Sequence, residues 1–281
     1  MSKRAKRVFV SVDMEGITGI VSGEQTGGDS AEYAVGRKLM VGDVNAAIEG
    51  LVKAGVEEVV VSDGHGGMKN IQPEELHESA SLVRGSPKPF SQMCGISSEF
   101  DAVFFVGYHA RMGVPKAILC HTYSGATVQS LHINGVEVGE TGLNAALAGY
   151  FDVPTVFISG DYAVTEEAKA LIPNITTAIT KWAVGRVSAR CLNPKKARQL
   201  ITMKAEEAMR NPANVKPFTF KPPIEVRLKL FNPTMADAVE ALPYVELLDG
   251  VTAKIVYDSY PTAYNATIAA ITLAGTTIVR R

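Results

Sequence analysis

Short apolar runs alternate with amphipathic stretches through the first half of the chain, the pattern of an α/β fold. Val8, Val10 and Val12 alternate with Phe9 and Ser11, which predicts a strand over 7–12. A Gly-rich loop over 16–28 follows, too long for a simple turn. Leu39, Val44, Ala47, Ile48, Leu51 and Val52 form an apolar stripe that predicts a helix over 33–54, stopped by Gly55. Val59-Val60-Val61 marks a second strand over 56–62, buried on both faces. A short helix at 73–77, a short strand near 81–83, a strand over 102–107 and another over 117–119 come next. Asn134-Gly135 between alternating apolar residues predicts a hairpin over 130–138. Helices over 140–150 and 166–172 then enclose a strand over 154–159.

From Asn193 the texture changes. Asn193-Pro194 opens a charged helix reaching about residue 210, and Pro212, Pro217, Pro222 and Pro223 interrupt the stretch after it. Strands over 225–230 and 253–257 and helices over 235–241 and 260–274 complete the pattern. The expected fold is α/β, with a mixed, largely parallel sheet flanked by helices and a smaller C-terminal α+β subdomain. The expected division is a catalytic domain over 1–190 and a subdomain over 191–281.

Composition narrows the function classes. The 281 residues are 46% hydrophobic and 20% charged, ordinary for a globular protein that can bury a substantial core. A formal net charge of -1 gives no global field for nucleic acid or an acidic membrane as partner. The basic run over 2–7 reads as a solvated tail, because the apolar stretch behind it stops at Asp13. No window reaches the ~20 apolar residues of a membrane span. Cys94, Cys120 and Cys191 are odd in number and contain no CxxC, which favours a reducing cytoplasm.

The chemistry gathers where strands end. Asp13 and Glu15 follow the first predicted strand, Asp63 and His65 the second, His109 the strand over 102–107, and His121 the one over 117–119. In an open α/β sheet, sites are built at the carboxyl ends of strands. Zinc takes imidazole nitrogen and carboxylate oxygen, and a two-metal hydrolase needs about five such ligands, one of them bridging. Asp13, Glu15, His65, His109 and Glu140 supply that set, with His121 beside them. His109 reads as functional, because an apolar run ending in an imidazole needs a polar partner for it, and the others have plainer readings. Asp13 fits an N-cap, Glu15 a solvated loop charge, Asp63 turn chemistry and His65 a surface histidine. Glu140 fits a favourable charge at a helix start, and His121 a satisfied core histidine. His77 and His132 read as surface or structural residues.

The ordered motifs carry a resemblance. Ser11-Val12-Asp13-Met14-Glu15-Gly16-Ile17, Asp63-Gly64-His65, Gly107-Tyr108-His109-Ala110-Arg111, His121 with its neighbours, and Val138-Gly139-Glu140-Thr141-Gly142-Leu143-Asn144 resemble the D-aminopeptidase family of zinc peptidases. Tyr150-Phe151-Asp152-Val153-Pro154, Ile172-Pro173-Asn174 and Lys216-Pro217 extend the similarity through nearly the whole chain. The resemblance implies two zinc ions per chain held by Asp13, Glu15, His65, His109 and Glu140, with Asp13 bridging. It implies a catalytic His121, either nucleophile or acid–base, and a homo-oligomer that is a ring-stacked decamer. It also implies hydrolysis of short peptides with an amino-terminal D-residue such as D-Ala. Gly64, Gly66 and Cys120 depart from the family's known member, which leaves the ligands intact and bears on substrate preference. Asp161 and Glu24 are candidates for holding a substrate ammonium, and the loop over 16–28 for lining its route. The competing readings are a metal-dependent amidase or phosphoesterase, for which Arg111 is the nearest phosphate clamp, and a non-catalytic ring-forming binding protein.

Overall fold

The computed structural model describes residues 6–278. In chain order its strands and helices are β1 (Arg7–Val12), α1 (Ala31–Lys53), β2 (Glu58–Asp63), β3 (Ala80–Val83), β4 (Ala102–Tyr108), β5 (Val128–Ile133), β6 (Val136–Glu137), α2 (Glu140–Tyr150) and β7 (Thr155–Asp161). They continue as α3 (Tyr162–Leu171), β8 (Thr176–Gly185), β9 (Ser188–Cys191), α4 (Pro194–Ala208), β10 (Ile224–Leu230), α5 (Pro233–Glu240), β11 (Val245–Asp249), β12 (Thr252–Tyr257) and α6 (Tyr260–Gly275). Most of the basic run read as a tail lies outside the described residues.

The larger sheet has the order β3-β2-β1-β4-β7-β8-β9 and is parallel except for β9 at its edge. Its centre is fully buried: every residue of β4 and β7 is hidden, and Phe104 stacks on Phe157 at 4.8 Å. Each such aromatic contributes about 1.5–3 kcal/mol by leaving water. Two helix pairs, α1 with α4 and α2 with α3, flank the sheet. The fold is therefore α/β with a mixed, largely parallel sheet. The smaller sheet, β11-β12-β10-β5-β6, is antiparallel, so the hairpin β5–β6 joins strands from the last third of the chain.

Sheet order decides where a site can form. After β1 the chain builds outward to β2 and β3, and then β4 returns to β1's other side. The crevice between the ends of β1 and β4 is thus a topological switch point. Register levels three strand ends there: Val12 lies opposite both Asp63 of β2 and Val106 of β4.

Four local expectations change. Residues 117–119 form no strand, because Lys116 and Leu119 take positive φ (50° and 48°), which a ladder does not accept. The stretch at 73–77 is only a 3-10 turn, Pro73–Glu75. α3 starts at Tyr162, four residues before the apolar pattern begins, because Asp161 caps it by accepting from the Val164 N–H. β8, β9 and β11 are additional, the first hidden from pattern reading by a lysine within its buried run.

Candidate metal centre

Two glycines let the chain cross at the switch point. A Cβ on Gly16 would sit 1.9 Å from the Tyr108 carbonyl oxygen, and one on Gly107 (φ 73°) would sit 2.4 Å from the Asp13 carbonyl oxygen. Neither position has room for a side chain. Their bareness allows Asp13 N–H to donate to Val106 O (2.9 Å) and Gly16 N–H to Gly107 O (2.8 Å). The Asp13–Glu15 turn and His109 are thereby locked against each other.

Asp13 stands at the middle of the resulting cluster. Its Oδ1 lies 3.1 Å from His65 Nδ1 and its Oδ2 3.2 Å from His109 Nε2. Glu15 Oε2 lies 3.1 Å from the same His65 nitrogen, and Glu140 Oε1 lies 3.2 Å from His109 Nε2. Asp13, Glu15, His109 and Glu140 are buried. Two donor groups result, Asp13–Glu15–His65 and His109–His121–Glu140, each with its atoms within 4.8 Å of one another. Asp13 gives one oxygen to each side.

The imidazoles have carbonyl acceptors behind them. His65 Nε2 meets Thr26 O at 2.6 Å, and His109 Nδ1 meets Ala110 O at 2.9 Å. If each carbonyl takes the ring N–H, the inward nitrogens, His65 Nδ1 and His109 Nε2, are lone pairs. Asp13 Oδ2, Glu15 Oε2 and His109 Nε2 are buried without a hydrogen-bond partner. Buried polar atoms rarely stay unmatched, and here they converge. The cluster's electrostatics agree. Burial opposes charge on these groups. His109 and His65 nevertheless hold Asp13 well below the carboxylate range, and Glu15 is also lowered against its burial by His65. Conversely, Glu15 with Asp13 raises His65, and Glu140 with Asp13 raises His109, well above the imidazole value despite burial. The cluster calls for positive charge at its centre, and oxygen and imidazole donors in this ratio suit zinc.

Glu140 is fixed by a buried network that no sequence pattern announces. Its Oε1 accepts from Tyr123 N–H (2.7 Å) and its Oε2 from Gln92 Nε2 (2.5 Å). Gln92 is oriented by Asn144, whose amide donates to Gln92 Oε1 (2.6 Å) and to Tyr108 Oη (2.9 Å). Asn144 Oδ1 accepts from Tyr123 (3.0 Å) and from Tyr264 of α6 (2.8 Å). On the other flank, the Lys181 ammonium donates to Glu15 O (2.5 Å), Ile17 O (2.8 Å) and Ile20 O (2.6 Å), gathering the loop that carries Glu15. Burial brings Lys181 down to about 8, against the pull of Asp161, Cys191, Asp43 and Glu15. A lysine beside the buried Thr180 of β8 is the one available signal.

A cavity of about 470 Å³ opens on the cluster, reached by Asp13, His65, His121 and Glu140. His121 stacks on His109 with centroids 4.2 Å apart; its Nδ1 meets Leu119 O at 2.9 Å and its Nε2 lies 3.8 Å from Glu140 Oε1. The other sequence candidates lie elsewhere. Asp161 is buried under α3, accepting from Ile118 N–H and Val164 N–H, and Glu24 is exposed on the 3-10 turn Gly23–Gln25. Neither lines the cavity, so neither holds a substrate there. Arg111 is committed to Glu137 at 3.1 Å, outside the cavity. The loop over 16–28 contributes the Thr26 carbonyl behind His65 rather than a cavity wall.

A carboxylate–histidine cluster at the switch point of an α/β sheet, opening on a walled cavity, defines the class of metal-dependent hydrolases. The comparisons with known proteins make the assignment specific. The D-aminopeptidase family model, Peptidase_M55, matches residues 6–269. A D-aminopeptidase of Bacillus subtilis (strain 168) is 37% identical over 246 residues, 88% of this chain and 89% of that protein. The solved structure of the Zn-dependent D-aminopeptidase DppA from Bacillus subtilis, described as a self-compartmentalizing protease, superposes with a TM-score of 0.94. It is 35% identical and covers 98% of this chain and 100% of that one. The chain belongs to the D-aminopeptidase family and is a hydrolase.

Proposed function

We propose that this protein is an aminopeptidase with two zinc ions per chain, releasing an amino-terminal D-residue such as D-Ala from short peptides. The observation that carries this reading is the position of Asp13, one oxygen 3.1 Å from His65 and the other 3.2 Å from His109. Asp13, Glu15 and His65 would hold one ion; Asp13, His109 and Glu140 would hold the other. Bound zinc supplies a water of lowered pKa and polarises the scissile carbonyl. The protein's own part is orientation and proton transfer. His121 Nε2 faces the cavity beside Glu140, with Nδ1 directed at the Leu119 carbonyl. It is placed to carry a proton to the leaving amine. Direct attack by the same nitrogen is the alternative role, and trapping of an acylated His121 with a slow substrate would select it.

The reading extends to assembly and location. The DppA description supports a homo-oligomer, and we infer a decamer, expected as a solution mass near ten times the 30.0 kDa chain. Among the described residues no helix is long and apolar enough to cross a membrane, and Cys94, Cys120 and Cys191 are free thiols, which supports a cytoplasmic site of action. The phosphoesterase alternative loses Arg111, the clamp the sequence offered it, which pairs with Glu137 outside the cavity. The test is zinc content together with turnover. Near two zinc ions per chain and hydrolysis of D-Ala-D-Ala in preference to L-Ala-L-Ala are expected. A metal-free purified protein, or equal turnover of both dipeptides, would overturn the reading.

A further inference from the structure

The lining of the cavity carries both signs of charge: the carboxylates Asp13 and Glu140, and Lys88, on the loop between β3 and the 3-10 turn Ser91–Met93. The Lys88 ammonium folds back onto the end of β2, the strand that leads to His65. It donates to Ser62 Oγ (2.9 Å) and Asp63 O (2.7 Å), with Val83 O further off at 3.4 Å. Among the described residues no carboxylate lies within 4.0 Å of it. Lys181 offers the contrast: three carbonyls within 2.5–2.8 Å complete its donors, and it does not line this cavity. An ammonium has three protons to place. Lys88 has close acceptors for two of them and only a long contact for the third, with no carboxylate at ion-pair distance. Burial also pushes it below the ordinary lysine value, against the weaker pull of Cys94 and Asp63.

The remaining walls restrict what can reach it. Ile268 and Ile271 of α6 and Met68 add apolar surface to the cavity lining. At about 470 Å³ the space has the size of a small-molecule pocket rather than a groove for an extended chain. An extended residue spans roughly 3.3–3.6 Å, so a peptide of two or three residues is the length such a space encloses.

We propose that Lys88 is the receptor for the terminal carboxylate of the substrate, making the site selective for very short peptides with a free carboxyl end. The proposal rests on the aminopeptidase reading and adds the substrate class to it. Lys88 is then a specificity-determining residue: it binds the end of the peptide away from the scissile bond, and the tie to Ser62 and Asp63 keeps it level with the ligands of β2. A charge-assisted contact of this kind carries roughly 10- to 100-fold in affinity.

The experiment compares D-Ala-D-Ala, its carboxamide, and D-alaninamide on the zinc-loaded full chain. Wild-type protein is expected to prefer the free dipeptide to its carboxamide about 10-fold or more in kcat/KM. In Lys88→Met, kcat/KM for the dipeptide should fall roughly 10- to 100-fold relative to its carboxamide, so that the preference vanishes; any loss shared by D-alaninamide reads the unmatched Asp63 carbonyl on the strand leading to His65. Lys88→Arg should restore part of the preference. Equal losses on all three substrates, or none, would overturn the proposal. If Lys88→Met fails to fold, the wild-type ratio decides alone, and a ratio near one overturns it. D-alaninamide separates the two levels of inference: turnover without carboxylate preference sinks the Lys88 assignment only. No turnover of any of the three by zinc-loaded wild type sinks the aminopeptidase reading and this assignment with it.

Discussion

The two sides of the cavity are built by opposite means. The strand-end side holds buried carboxylates and imidazoles whose positions are fixed by backbone: β1 and β4 cross at Gly16 and Gly107, and carbonyls sit behind both His65 and His109. The α6 side holds Ile268, Ile271 and Thr272 on one helical face, supported from behind by the antiparallel sheet. Charges at a shared centre are interdependent, whereas apolar wall residues act nearly independently. Substitutions on the first side should therefore abolish function in steps, and those on the second should grade it.

The largest step is expected at Asp13. Asp13→Ala removes an oxygen from both donor groups, so zinc content should fall toward zero and kcat/KM by roughly 10³-fold or more. Glu15→Ala touches one group only, and about one zinc per chain should remain. Loss of a single ion in Asp13→Ala would show that the carboxylate does not bridge. His121→Ala should remove turnover with zinc content unchanged; loss of zinc in that variant would make His121 a ligand of the His109–Glu140 group.

Next comes Lys181, which belongs to the same side without being a ligand. Lys181→Met leaves the carbonyls of Glu15, Ile17 and Ile20 unmatched in the interior. Each orphaned group costs about 1–3 kcal/mol, partly offset by no longer burying an ammonium, so a net loss of about 3 kcal/mol is expected in denaturant unfolding. Zinc should be lost first from the group that includes Glu15. A variant with wild-type stability would mean that these carbonyls find other donors.

Legibility in the sequence follows the same divide. Periodicity locates the ligand-bearing strands within a residue or two, since β1, β2 and β4 are short apolar runs and their ends are where polar side chains begin. Pattern reading fails where the chemistry comes from irregular backbone. His121 reads as the residue after a strand, yet it rides on a loop with positive φ at Leu119 and Tyr123. The partners of Glu140 are invisible for a different reason: Gln92 lies 48 residues away and Tyr264 bonds across 120 residues to Asn144, contacts that no local spacing encodes. Asp161 misleads because a strand-end carboxylate also serves as a helix cap.

Gln92 joins the two sides and is expected to show an intermediate effect. It takes its orientation from Asn144, which Tyr264 of α6 also holds, and passes it to Glu140 Oε2. Gln92→Leu strands one Glu140 oxygen and one Asn144 proton. Removing a hydrogen-bond partner behind a metal ligand costs about 10- to 100-fold in affinity. Zinc binding by competition with a chelator is the measurement, and unchanged affinity would uncouple α6 from the centre.

The smallest effect is expected at the wall itself. Ile268 is only partly buried and carries no polar atom, so Ile268→Ala removes apolar surface from the cavity without removing charge. Methylene groups in a substrate pocket are worth about 1–3 kcal/mol each when fully enclosed, and an open wall realises a fraction of that. A rise of roughly 3- to 10-fold in KM is expected for a dipeptide with a bulky second residue, with little change for D-Ala-D-Ala. Zinc content and kcat should not move. If both fell together, the wall would be part of the centre's scaffold, and the contrast between a stepped side and a graded side would fail at that residue.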